Sequence, residues 1–178
     1  VEIIAKYITK NIKFICPVRN IIDVLTSFDT IINASEDSKD NVIDKKVLIE
    51  TFDNMPLADR RADYLMRHDK DVQLTLNYLR HATIPEYRHL FHFVDYDDLI
   101  NNPKKEINKI YDFLEIKKYN HEFRNIKDIS GISEDSITGI KNLHTIRTNL
   151  QKVSKRPEDV LLPETIKRYS GLEFWRNI

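Results

Sequence analysis

Two short apolar runs, "KFICPV" (13–18) and "HLFHFVDY" (89–96), constrain this chain more than anything else in it. Each has the length of a buried strand and is rich in aromatic or β-branched residues. Helical periodicity occupies much of the interval 19–88 between them. Strands joined by so long a crossover pair parallel, because a hairpin would need only a tight turn. The chain therefore reads as α/β and helix-rich, with a central parallel sheet flanked by helices. Two strands are few for a doubly wound domain, so further strands are expected upstream of Val1.

The first run ends in a cation and then in helix signals. Arg19 follows Val18, Asn20 is placed to cap, and Asp23 stands three positions on, as in a capping box. Ile21, Val24, Leu25 and Phe28 supply the apolar stripe. Pro17 places its strand at an edge or at the end of a ladder. Elsewhere, residues 2–9 read as a helix with Ile3, Ile4, Tyr7 and Ile8 on one face. The stretch 33–46 is polar and reads as a mobile surface segment, and 33–67 as a lid or acceptor-side insertion. Short helices at 47–54 and 57–67 meet at Pro56, and a longer one at 69–83 is capped by Asp69, with Val72, Leu76 and Leu79 inward. Asn102 and Pro103 open a helix whose core face is Ile107, Ile110, Tyr111 and Leu114. Residues 125–142 form a connection, and 157–169 carry helix signals. Arg60, Arg61 and Arg67 read as a solvated helix face.

The chain's 178 residues suit one domain. Lys plus Arg and Asp plus Glu both number 28, a formal net charge of zero, which argues against nucleic-acid binding. A single cysteine, Cys16, suggests a reducing, cytoplasmic setting. No apolar stretch approaches the roughly 20 residues of a membrane span.

Ligands of open α/β sheets bind beyond the carboxyl ends of the strands. Arg19 sits at such an end, and the following helix offers backbone N–H groups and a partial positive charge. From Asn20 to Ser27 is close to two helical turns, so Ser27 lies on the same face. A guanidinium donates two parallel hydrogen bonds to a phosphate and never deprotonates. A serine hydroxyl adds a third donor without filling the site. Spacing alone leaves open the plainer possibility of an unrelated strand-end arginine and a helix serine bonded to its own backbone.

"FICPVRNIIDVLTSF" (14–28) resembles the segment of PAPS-dependent sulfotransferases in which a strand leads to Arg-x-Pro-x-Asp and then Ser. Arg19, Asp23 and Ser27 fall on that pattern, with Ile21 where the family has Pro. "FHFVDYDDLINNPKKEINKIYDFLEI" (91–116) is similar to a later strand and helix of the same family. There Tyr96, Asp98, Leu99, Pro103, Phe113 and Leu114 match, Asp97 replaces Glu, and Glu115 replaces Gly. "NLHTIRTNLQKVS" (142–154) stands where the family carries a basic loop, with His144, Arg147 and Lys152 as candidates and Arg147 the best placed.

The resemblance implies a P-loop nucleotide-hydrolase-like sulfotransferase fold, a single domain over 1–178 covering its later two-thirds. It implies transfer of a sulfuryl group from 3′-phosphoadenosine 5′-phosphosulfate (PAPS) to a hydroxyl or amine. Arg19 and Ser27 would then hold the 3′-phosphate, and Arg147 would close over the nucleotide. The phosphate loop and the catalytic base are expected upstream of Val1. The acceptor is a small molecule or carbohydrate, and no metal is expected. A P-loop kinase would need glycines that this chain does not have, since its three glycines all lie in the last third. A non-catalytic helical interaction module is the alternative.

Overall fold

The computed structural model describes residues 2–9, 11–34, 42–51, 54–127, 129 and 146–178. Its strands β1 (Phe14–Val18) and β2 (Phe91–Asp95) pair parallel, Phe14 opposite Phe91 and Val18 opposite Asp95. The α/β class and the parallel pairing agree with the sequence. Aromatic packing reinforces the register, since the Phe14 and Phe91 rings stack with centroids 4.8 Å apart.

The helices are α1 (Glu2–Tyr7), α2 (Ile21–Ala34), α3 (Val42–Glu50), α4 (Leu57–Leu65), α5 (Asp71–Arg80) and α6 (Pro85–Arg88), then α7 (Tyr96–Asn101), α8 (Pro103–Leu114) and α9 (Pro163–Tyr169). Short 3₁₀ turns occupy His81–Thr83, Pro157–Asp159 and Phe174–Asn177. Within the expected 33–67 segment, residues 35–41, 52 and 53 lie outside the described residues, as does most of the expected connection at 125–142.

The core forms where α2, α4 and α5 meet the end of β1 and the C-terminal segment. Val18, Ile21, Ile22, Leu25, Leu65, Val72, Leu76, Leu161 and Trp175 are its buried members. The stripe expected on α2 is largely right. Ile21 and Leu25 are buried, Val24 and Phe28 pack against the cluster, and Ile22 joins it from the flank. Burying one such leucine contributes about 2 kcal/mol.

Several expectations are corrected. Arg60 and Arg61 are buried, not solvated. Helix α4 packs against both α2 and α3, so its basic residues are enclosed. Arg61 Nη1 donates to Asp29 Oδ1 at 2.6 Å and to Asn33 Oδ1 at 2.7 Å. Arg60 Nε donates to Thr51 Oγ1 at 2.8 Å, while Arg67 pairs with Glu50 at 2.8 Å. Asp69 does not cap α5; its carboxylate pairs with Lys70 at 3.0 Å. The apolar face of α8 is only half-buried, and its buried residue is Glu106, paired with Lys109 at 2.8 Å. On α1, Ile3 and Tyr7 are exposed, as is Ile8 just beyond it.

Helices α6 and α7 were not expected. Asp95 ends β2 and at once caps α7, its Oδ1 accepting from Asp97 N at 3.0 Å. That cap sets Tyr96 and Asp97 directly at the carboxyl end of β2.

Candidate functional site

The carboxyl ends of β1 and β2 carry the residues of interest. Arg19 leaves β1 and lays its guanidinium over the Tyr96 ring, 4.5 Å from the centroid. Its Nε stands 3.9 Å from Asp23 Oδ2, too long for a hydrogen bond. Arg19 Nε and Nη2 are buried and have no hydrogen-bond partner among the described residues. Leaving such donors unanswered costs about 1–3 kcal/mol, more for a charged group, so the pair is suited to an incoming acceptor.

Asp23 is 5 % exposed and is claimed by another cation. Lys152 Nζ donates to Asp23 Oδ2 at 2.6 Å and to Asp97 Oδ1 at 3.3 Å. Those contacts, the Asp23 hydrogen bond foremost, push the Lys152 pKa up against the opposing effect of burial. Arg176 Nε donates to Asp95 Oδ2 at 2.8 Å, and its Nη2 approaches Asp97 Oδ2 at 3.6 Å. Burial alone would raise the Asp95 carboxyl, but Arg176 and the Asp97 backbone N–H hold it below the usual carboxylate value.

The α2 terminus departs from expectation. Its first amides are not free: Ile21 N donates to Glu173 Oε1 at 2.9 Å, and Ile22 N and Asp23 N donate to Asn20 Oδ1 at 2.9 and 3.3 Å. The Asn20 cap is as anticipated, but a carboxylate from the far end of the chain takes the remaining donor. While Glu173 holds Ile21 N, an anion here is gripped by side chains.

Of the residues read from the sequence, Arg19 and Lys152 converge on Asp23. Ser27 is half-buried on α2, one turn beyond Asp23 on the same helix face, and Arg19 lies in the link between β1 and α2. Arg147 is exposed, two positions before Asn149, which bridges to Arg124. His144 lies outside the described residues. Glu173 and Arg176 were not singled out by their sequence context, and Asp97 was noted only as a replacement for the family's Glu.

Beside Arg19 opens a cavity of about 200 Å³, walled mainly by Val18, Ile21, Val24, Phe28, Leu76 and Trp175. Among the described residues no group of His, Cys, Asp and Glu side chains is arranged to hold a metal ion. No described helix is long and apolar enough to cross a membrane.

A family model described as "Sulfotransferase domain" matches residues 2–158. Comparison with curated proteins and with solved structures yields no match.

Proposed function

The chain belongs to the sulfotransferase-domain family, and from that premise we propose that it transfers a sulfuryl group from PAPS to a hydroxyl or amine acceptor. The observation that carries the reading is the pair of buried, unpartnered donors on Arg19. A phosphate ester is the acceptor whose geometry suits a guanidinium fork. Stacking on Tyr96 fixes the plane in which that fork is presented. Ser27 adds a hydroxyl donor one turn beyond Asp23 on the same face, and together the two hold the 3′-phosphate. Arg147 closes over the nucleotide from the basic stretch 142–154.

The residues present fit such a nucleotide through side chains, because the backbone donors of α2 are already taken. PAPS supplies the activated sulfuryl group when bound. Transfer breaks the bond from sulfur to the donor phosphate oxygen and forms one to the acceptor oxygen or nitrogen, whose proton passes to a base. Positioning and electrostatic stabilisation carry most of such a transfer. Arg19 and Ser27 bind and orient, so their loss weakens binding more than it slows the chemical step. The acceptor, a small molecule or a carbohydrate, approaches from the side shaped by 33–67.

Calorimetric titration with 3′-phosphoadenosine 5′-phosphate (PAP) and with 5′-AMP tests the reading. PAP binding clearly tighter than AMP binding is expected, because the grip is on the 3′-phosphate. Equal affinities contradict it.

A further inference from the structure

We propose that the C-terminal segment Glu173–Arg176 is a built-in competitor of the ligand anion, with the Glu173 carboxylate as the competing group. The inference rests on reading the surroundings of Arg19 as a phosphate site.

Glu173 is 8 % exposed. Its Oε1 accepts from Ile21 N at 2.9 Å across 152 positions of sequence. A carboxylate at a helix N-terminus satisfies the same donor and the same partial charge that a phosphate would. The residues that follow hold it there. Trp175 is buried in the core. The Phe174 ring meets Phe93 edge-on, with centroids 6.2 Å apart. Arg176 is tied to Asp95 at the end of β2. The tail is thus fastened across the ends of both strands, and the charge it delivers to α2 is negative.

Asp23 and Asp97 add two more carboxylates nearby, but Lys152 answers both. Among the described residues Glu173 is hydrogen-bonded only by a backbone N–H. The nearby Arg176 cation is shared with Asp95 and offsets part of its charge, and the remainder faces an arriving anion. The Arg19 donors Nε and Nη2 remain unpartnered among the described residues. A phosphate therefore gains Arg19 while working against Glu173. Glu173→Gln separates the two roles, because an amide oxygen still accepts from Ile21 N but carries no charge. A purely structural cap predicts no gain in anion affinity from this change.

The experiment titrates the wild-type chain and Glu173→Gln with PAP and with inorganic phosphate. Glu173→Gln is expected to bind both about fivefold more tightly. In the wild-type chain, the Ile21 amide resonance is expected to move as phosphate is added, a readout that does not depend on the variant folding. Unchanged or weaker binding by a folded Glu173→Gln overturns the proposal, as does an Ile21 amide that stays fixed while the Ser27 amide shifts. Phosphate binding that tightens without any PAP binding upholds the competitor and refutes the nucleotide reading. PAP binding of equal strength to both chains does the reverse, and a site that binds neither ligand refutes both.

Discussion

Arg61 and Arg19 both abut α2, yet only one of them is fully answered by the fold. Arg61 is 2 % exposed and bound to Asp29 and Asn33. Removing one partner of such a pair strands a buried charge, so Arg61→Ala should lower the unfolding free energy by about 3–5 kcal/mol in urea. A loss under about 1 kcal/mol would show the pair to be dispensable. His92 is the second residue with a measurable signature. Its ring stacks on Phe113, with centroids 5.2 Å apart. Burial, then the nearby Lys109 charge, lowers its pKa below the ordinary 6.5. The folded chain then binds a proton less readily than the unfolded one. The resulting stability is present above the ordinary value and is lost as pH falls through 6.5 toward the lower folded value. Urea midpoints should fall between about pH 7 and pH 5, and His92→Phe should flatten that part of the profile. An unchanged slope in the variant would assign the dependence to another group.

Elements were easier to read than their partners. Asn20 announced the start of α2, and the register of the inward residues on α5 followed from periodicity. What was not legible is contact across distance. Arg61 meets Asp29, 32 positions away, and nothing local distinguishes an enclosed arginine from a solvated one. The same holds for Glu173, which caps a helix at the other end of the chain. The end of α8 shows a departure whose reason is now visible. Glu115 stands where the resembling family has glycine, and its backbone is left-handed, with φ of 58°. A side chain there costs about 1 kcal/mol that glycine avoids. The pair between half-buried Lys13 and exposed Glu115 offsets little of it, since the Glu115 end is open to water. Glu115→Gly should therefore raise the thermal midpoint by a few degrees. A lower midpoint would mean that the ion pair outweighs the strain.

For the whole molecule, the α/β class and the parallel strand pair were legible from two apolar runs and the helical stretch between them. The way the chain closes on itself was not. The tail reads as a short helix over 157–169, but it folds back so that Trp175 completes the core at the strand ends. Trp175→Ala should cost about 3–5 kcal/mol and lower the whole unfolding transition, not fray the terminus alone. Limited proteolysis that trims the tail while the remaining transition is unchanged would refute that coupling. The site inherits this construction: β1 delivers Arg19, α7 delivers Tyr96 and Asp97, and the tail delivers Glu173 and Arg176. The measurement that bears most directly on its role is PAP affinity, by calorimetry, for the wild-type chain, Arg19→Ala and Ser27→Ala. Arg19→Ala should weaken PAP binding by about tenfold or more and Ser27→Ala by less, with 5′-AMP binding unaffected in both. An Arg19→Ala chain that binds PAP as tightly as the wild type would contradict the account.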